Sequence, residues 1–251
     1  MKKLRIIYSI FQTFVAFLFM CLAYLFVTST IKNIIASEEV KRFIDASEYE
    51  RDFDNNTKLY TVDLDLEEES IEFISDDLIL GIEGDYFVMP QSRVANLSLV
   101  RGFISYCFGG HSGLIARPLG IPSLIEAMGG TSEEAFVFLN QGWGYDLYRP
   151  EERSVLGFRV NASLDDRIKA SEYATSLVGK DFNYFFIAHV KDKYYCTEVV
   201  TRSYSSEAGL DFDLSHNFFD SNQDISISGQ SQLIFFKYID SSGVIHIYYA
   251  K

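Results

Sequence analysis

Residues 6–27 form an uncharged apolar run, IIYSIFQTFVAFLFMCLAYLFV, and this run constrains the fold of the chain more than any other feature. Its length, about 22 residues, is enough to cross the hydrocarbon core of a bilayer as an α-helix. Lys2, Lys3 and Arg5 precede the run, and positive charge stays on the cytoplasmic side of a membrane. The sequence therefore predicts a single-pass anchor in residues 1–30, with the N-terminus in the cytoplasm and the rest of the chain outside the cell membrane.

A cleaved signal peptide is the alternative interpretation of this run. Small residues follow it in the stretch IIAS at 34–37, where a signal peptidase could cut. Secretory apolar cores are usually only about 7–15 residues long. The greater length favours an uncleaved anchor, and a secreted protein stays the alternative.

The acidic charge of the chain lies after the apolar run. The first 35 residues carry four basic and no acidic side chains, so the remainder holds −17 and the whole chain −13. An acidic body does not attract phosphate backbones, so no nucleic-acid partner is expected. Residues 31–75 are dense in acids and predict an acidic stem or N-terminal extension, followed by a globular domain in residues 76–251.

The domain begins with short apolar segments and then changes its periodicity. The segments separated by Gly and Pro predict strands, and they read DLIL, DYFVM, SGLIAR, SLIEAM, AFVFLN and VLGFRV. Ser163 is a predicted N-cap of a helix that Gly179 terminates, and a second helix begins at Cys196. The tail predicts a hairpin turned at 240–243. Strands, then two helices, then strands indicate an α+β fold with a largely antiparallel sheet.

Cys196 is the candidate nucleophile. At the first turn of a helix the unpaired amides and the positive end of the dipole stabilise a thiolate. A thiolate also needs a nearby base, and the base needs a third group that fixes its orientation. His111 follows two glycines at the start of an apolar strand, and Glu126 lies in the next predicted strand, where a carboxylate could accept the imidazole N–H.

Each of these residues also has a structural interpretation. Cys196 could be a small core side chain, or it could form a disulfide with Cys107, because an extracytoplasmic location permits one. His111 could be a hydrogen-bonded structural histidine, and Glu126 an exposed strand carboxylate. Glu198 is interpreted only as a complement to the helix dipole. No zinc-like spacing such as CxxC or HExxH occurs, so no metal and no cofactor are expected.

The order of several motifs resembles that of the YiiX/YebB-like group of permuted NlpC-type, papain-like cysteine hydrolases. The resemblance covers about residues 75–210, and its motifs are DLIL, GHSGLIA, SLIEAMGG, VLGFRV, GKDFNYFF and YYCTEVV. It implies a circularly permuted papain-like (NlpC-type) α+β domain with an antiparallel sheet, preceded here by one transmembrane helix. It also implies Cys196 as nucleophile, His111 as base and Glu126 near the third, orienting position.

The sequence departs from the family pattern at three positions. Asp76 replaces the usual glycine before Asp77, Thr197 replaces serine after the cysteine, and Phe182 stands where a tyrosine is common. If that tyrosine hydroxyl helps to stabilise the oxyanion, its loss weighs against full activity, and Tyr184, Tyr194 and Tyr195 are the neighbouring candidates to substitute for it.

The predicted function is that of a membrane-anchored, extracytoplasmic cysteine hydrolase. It would cleave an amide or ester bond in a peptide or acyl substrate, and the resemblance points to cell-wall peptides or lipid-linked acyl groups. Two alternatives stay open: a catalytically inactive surface binding module of the same fold, and a disulfide-stapled structural ectodomain.

Overall fold

The structure is a computed structural model of the whole chain. It describes residues 2–74, 77–90, 106, 110–129, 136–141, 154–185, 189–215 and 221–251.

Helix α1 (Lys2–Asp45) contains the apolar run and continues beyond it. It holds the one stretch of the described residues that is long and apolar enough to cross a membrane, and no residue of its most apolar window is buried. The C-terminal part of the helix does pack against the domain, where Phe43 is buried and Val40 and Ile44 contact the core. One continuous helix therefore joins the candidate span to the globular fold.

The described residues contain thirteen strands, eleven of which form one sheet in the order β1-β2-β13-β12-β9-β5-β6-β7-β8-β10-β11, while β3 and β4 form a separate pair. The strands are β1 (Glu48–Asp52), β2 (Thr57–Val62), β3 (Ile71–Ile74), β4 (Asp77–Leu80), β5 (Tyr86–Met89), β6 (His111–Ala116), β7 (Ser123–Met128), β8 (Phe136–Gln141), β9 (Ser154–Val160), β10 (Asp181–Phe182), β11 (Lys193–Tyr194), β12 (Ser231–Ile239) and β13 (Ile245–Ala250).

Most neighbouring strands of the large sheet are antiparallel, as the sequence predicts. Two pairs are parallel instead, β2 with β13 and β10 with β11. The first of these pairs joins the acidic segment to the far end of the chain, so residues 57–62 lie in the same sheet as the rest of the domain. The predicted hairpin at the end of the chain is confirmed, with β12 and β13 joined by a turn in which the Gly243 N–H donates to the Asp240 carbonyl.

Three shorter α-helices lie in the part of the chain that the structure describes: α2 (Leu164–Ser176), α3 (Cys196–Ser203) and α4 (Asn222–Ser226). The predicted N-cap of α2 is confirmed, because the Ser163 hydroxyl accepts from the Asp166 backbone N–H at 3.2 Å. Helix α3 packs against β6, and its Val199 and Val200 side chains are fully buried. This packing places the start of α3 against the strand that begins at His111.

A buried ion pair fixes the strand that borders β6. The Asp85 carboxylate, which has no exposed area, accepts two hydrogen bonds of 2.8 Å from the Arg159 guanidinium. Asp85 also accepts from the Ile82 backbone N–H at 2.8 Å, and Arg167 lies 3.9 Å away. A paired, bidentate carboxylate holds β5 against β9 and α2, and thereby supports the neighbouring strand β6.

Candidate functional site

Adjacent antiparallel strands bring His111 and Glu126 together. His111 is the first residue of β6, and Glu126 in β7 lies opposite Gly113. Residues two positions apart in a strand share a face of the sheet, so both side chains lie on one face as diagonal neighbours. The His111 Nε2 atom lies 2.6 Å from the Glu126 Oε2 atom. This contact occupies one ring nitrogen of the histidine and leaves Nδ1 for another partner.

Gly113 makes room for the ring that packs beside His111. A Cβ atom at this position would lie 2.7 Å from the Phe87 ring and 2.9 Å from the Ile125 carbonyl oxygen, closer than real side chains approach. The Phe87 ring in turn meets the His111 imidazole edge-on, with 6.0 Å between the ring centroids. The glycine two residues after the histidine is therefore needed for the packing that positions the imidazole.

Cys196 is the first residue of α3, as predicted, and a buried carboxylate organises the start of that helix. Glu198 has no exposed area and accepts hydrogen bonds of 3.0 Å from both the Tyr195 backbone N–H and the Asn183 amide. It also forms a 2.8 Å ion pair with Arg202. The interpretation of Glu198 as a simple dipole complement is therefore too weak, because this side chain caps the helix that carries the thiol.

The Cys196 thiol and the His111 imidazole are close enough for each to shift the pKa of the other. Burial opposes ionisation of Cys196, but the hydrogen bond and the positive charge of His111 outweigh it and lower the thiol pKa from 9.0 to about 7. The Ser112 backbone N–H and the Thr197 hydroxyl contribute in the same direction. Near neutral pH a substantial fraction of the sulfur is therefore a thiolate.

The imidazole of His111 shows the reciprocal shift. Burial lowers its pKa, but the hydrogen bonds and negative charges of Cys196 and Glu126 outweigh burial and raise the pKa from 6.5 to about 10. A thiolate beside an imidazolium is thus the preferred state of the pair between about pH 7 and about pH 10.

Helix α4 adds a residue that the sequence analysis does not single out. Asn222, the first residue of α4, is buried, and its Nδ2 atom lies 4.0 Å from the Cys196 sulfur. Its Oδ1 atom accepts a 3.0 Å hydrogen bond from the Thr197 hydroxyl. No local sequence pattern marks an asparagine at this position, because its contact with the thiol depends on how two helices pack.

The sequence also raised expectations about Phe182, the tyrosines near it, a disulfide with Cys107 and the lack of a metal site. Phe182 is buried and its ring meets Tyr184 edge-on, with 4.9 Å between the ring centroids. Tyr194 stacks under the Arg202 guanidinium at 4.7 Å. Cys196 is a free cysteine, so the proposed disulfide is not formed, and Cys107 itself lies outside the described residues. Within the described ranges, no group of three or more His, Cys, Asp or Glu side chains could hold a metal ion.

A second candidate for the glycine-aspartate motif lies later in the chain than the position at 76–77 to which the resemblance assigned it. Asp76 is outside the described residues, and Asp77 begins β4 in the small two-stranded sheet. Gly84 and Asp85 directly precede β5, the strand that pairs with the histidine strand β6. The pattern Gly-Asp followed by a hydrophobic strand is therefore present here at 84–86, beside the site.

A helix-borne cysteine facing a histidine and a carboxylate on neighbouring strands, with the histidine strand first in the chain, defines a permuted papain-like cysteine hydrolase. Residues 102–229, about half of the chain, match the family described as permuted papain-like amidase enzyme, YaeF/YiiX, C92 family. The chain belongs to this family, as the sequence motifs indicate.

One solved structure is similar, a crystal structure titled metalloprotein yiiX from Escherichia coli O157:H7. It is 20% identical in sequence, with a TM-score of 0.46, and the match covers 61% of this chain and 95% of that one. No curated protein matches the chain.

Proposed function

We propose that this member of the amidase family is a membrane-anchored thiol hydrolase in which Cys196, His111 and Glu126 form the catalytic centre. The observation that carries the proposal is the 2.6 Å contact of His111 with Glu126 beside a thiol at the start of α3, supported by the opposite pKa shifts of Cys196 and His111. The family indicates amide bonds as the target. We also propose that this bond lies in a peptide or acyl substrate, either in the cell wall or on a lipid.

Acylation would begin with attack of the Cys196 thiolate on the amide carbonyl carbon. The sulfur–carbon bond forms, the carbonyl electron pair moves to oxygen, and the Cys196 backbone N–H donates to that oxygen. The His111 imidazolium then gives its proton to the leaving nitrogen as the carbon–nitrogen bond breaks. Glu126 orients the ring throughout and stabilises its charged form.

Deacylation would reuse the same groups in the opposite sense. The imidazole, now neutral, takes a proton from a water molecule whose oxygen attacks the thioester carbon. The carbon–sulfur bond breaks, the acid product leaves, and the thiolate–imidazolium pair is restored. The sequence of steps needs no metal and no redox cofactor.

The decisive experiment follows hydrolysis of cell-wall peptides and of lipid-linked amides by the full chain in nanodiscs. We expect one of these substrates to be cleaved by the wild type and not by Cys196→Ser. The control variant is Cys21→Ser, whose cysteine lies in the apolar part of α1. Turnover that persists in Cys196→Ser would refute the assigned nucleophile, and wild-type protein that binds these substrates without cleaving them would favour a binding module.

Contacts of α1 with the domain support an uncleaved anchor. Ser29 is buried, and the Lys32 ammonium forms a 2.5 Å ion pair with Asp224. Cleavage near residue 37 would remove both contacts. We therefore propose that the helix is retained, and that residues 48–74, predicted as a stem or extension, form part of the catalytic domain. Intact-mass analysis of membrane-extracted protein should find the mass of the uncleaved chain. The mass of a chain that begins near residue 38 would refute the proposal that the helix is retained.

A further inference from the structure

Asn222 faces the nucleophile with its amide nitrogen. The side chain is 3% exposed, its Nδ2 atom lies 4.0 Å from the Cys196 sulfur, and its Oδ1 atom accepts from the Thr197 hydroxyl. The reversed amide would place an oxygen against the thiolate, which electrostatic repulsion disfavours. The Ser226 hydroxyl also donates to the Asn222 carbonyl oxygen at 2.7 Å. Both the side chain and the backbone of Asn222 are therefore held in place.

We propose that the Asn222 Nδ2–H group is the side-chain donor of the oxyanion hole in this chain, which has Phe182 where the resemblance expects a tyrosine. This proposal rests on the proposed thiol hydrolase function. When sulfur bonds to the carbonyl carbon, the developing oxyanion lies one carbon away from sulfur. A donor 4.0 Å from sulfur can then lie about 2.7–3.1 Å from that oxygen, which is the length of an oxyanion hydrogen bond.

The test compares two reactions of the same sulfur. Acetylation of Cys196 by p-nitrophenyl acetate passes through a tetrahedral oxyanion, whereas alkylation by iodoacetamide does not. We expect Asn222→Ala to slow acetylation by about tenfold or more, toward the roughly 10²–10³-fold cost of losing one oxyanion donor, and to change alkylation by less than about twofold. Asn56→Ala, which removes an amide at the distant β1–β2 turn, is the matched control and should leave both rates unchanged.

Three outcomes are distinguishable. Equal slowing of both reactions in Asn222→Ala would mean that the residue acts on the fold or on thiolate formation, and would overturn the proposal. Unchanged acetylation would also overturn it. If wild-type Cys196 is not acetylated while it is alkylated normally, the proposed hydrolase function fails instead. Thr197→Val, which removes the group that orients the amide, should reproduce part of the acetylation defect; because the Thr197 hydroxyl also lowers the thiol pKa, both rates are compared at the alkaline plateau, where the thiol is fully ionised.

A separate observation concerns the side of the domain on which the thiol lies. Contacts along α1 are ordered: its residues nearest the apolar run contact Tyr106 and α4, and later residues contact β12 and the core. The contacts with Tyr106 and α4 are Phe26 stacked on Tyr106, Thr30 with the Tyr106 hydroxyl at 2.8 Å, Lys32 with Asp224 at 2.5 Å and Asn33 Oδ1 with the Gln223 amide at 3.2 Å.

Helix α4 therefore lies at the end of the domain nearest the apolar run. Lys32 is about 7.5 Å beyond the last residue of that run along the helix axis. Its ion-pair partner, Asp224, is two residues from Asn222, which contacts the Cys196 sulfur. Strand β12 starts shortly after α4 and carries the chain away, so that the β12–β13 turn lies about 30 Å from the start of the strand.

We infer that the Cys196 site lies at the membrane-facing end of the domain and acts on an amide carried by a lipid-anchored molecule. The inference rests on the proposed anchoring of α1. An enzyme whose nucleophile faces the headgroup layer meets membrane-held substrates at a high effective concentration, whereas soluble substrates gain nothing from this placement.

Energy transfer tests the orientation without requiring activity. Two variants of the full chain are placed in nanodiscs, and both carry Cys21→Ser and Cys107→Ser. In the first variant the donor dye is on Cys196. In the second variant Cys196→Ser is added and the dye is on Ser242→Cys at the β12–β13 turn. The acceptor is a headgroup-labelled lipid. We expect stronger transfer from the Cys196 dye. Equal transfer from the two positions, or stronger transfer from position 242, would overturn the orientation.

Activity tests the substrate class. The same amide is presented on a lipid anchor in the nanodisc and as a soluble compound, and we expect kcat/KM to be about tenfold or more higher for the anchored form. Equal cleavage of both forms would overturn the substrate class. Cleavage of neither form by the wild type would count against the proposed function while leaving the energy-transfer result intact.

Discussion

Replacing His111 with alanine should raise the pKa of the Cys196 thiol and so expose the contribution of the pair. The thiol pKa is about 7 beside the imidazolium against an ordinary 9.0, and burial without His111 would hold it at or above the ordinary value. A difference of two pKa units corresponds to about 2.7 kcal/mol of preferential stabilisation of the thiolate. At pH 7 the ionised fraction should fall from about one half to about 1%, roughly fiftyfold.

The assay is the rate of Cys196 alkylation by iodoacetamide between pH 5 and pH 10, followed by intact-mass analysis. A more basic thiolate is intrinsically more nucleophilic, which offsets about six- to tenfold of the loss at pH 7. The apparent pKa of the rate profile is therefore the better measurement, and it should move from about 7 to at least the ordinary thiol value. His246→Ala, a histidine paired with Asp240 away from the site, should leave the profile unchanged.

An identical profile for the wild type and His111→Ala would refute the ion pair. Hydrolysis by the wild type has a second limb, because the His111 imidazolium loses its proton as the pH rises through about 10. Activity should therefore rise through the pKa of the thiol, reach a plateau, and fall through the pKa of the imidazole. These two limbs are properties of the pair, whereas alkylation of His111→Ala should show a single limb, the ionisation of the unpaired thiol at or above its ordinary pKa.

Three further changes test the surroundings of the pair. Glu126→Gln removes a group that raises the pKa of the imidazole, so the alkaline limb of the hydrolysis profile should move to lower pH and kcat should fall by about 10²–10⁴-fold; an unmoved limb would contradict this. Gly113→Ala overpacks the ring beside the histidine and should cost roughly 1–3 kcal/mol of unfolding free energy in denaturant titrations, and no loss would contradict the close contact. Glu198→Ala leaves buried Arg202 without its carboxylate and should cost about 3–5 kcal/mol, whereas Glu172→Ala on the exposed face of α2 should be nearly neutral.

The local elements were predictable because their signals are local. The cap at Ser163, the start of a helix at Cys196 and the hairpin turn at 240–243 each depend on a few neighbouring residues, and the structure has all three. The pairing of His111 with Glu126 was also predictable, since antiparallel strands joined by a short turn place nearby sequence positions side by side.

Other features depend on contacts between distant parts of the chain. The parallel pairing of β2 with β13 brings together residues about 190 positions apart, and no periodicity within either strand reports its partner. Asn222 reaches the thiol only through the packing of α4 against α3. Glu198 was underrated for the same reason, because its burial follows from Asn183 and Arg202 closing around it.

A Gly-Asp pair ahead of an apolar strand was available in the sequence at 84–85, whereas 76–77 reads Asp-Asp. The strand order gives an independent reason to prefer the later position, because β5, which follows Asp85, pairs with the histidine strand β6. Strand β4, which begins at Asp77, pairs with β3 in the separate sheet.

The parallel union of β2 with β13 has a consequence for how this protein is made. During synthesis the strand at 57–62 leaves the ribosome about 190 residues before its hydrogen-bonding partner at 245–250. Contacts of such sequence separation close large loops and form slowly. Until that late strand arrives, one edge of β2 stays open to other chains, so a nascent or truncated form should be the species most in need of a chaperone.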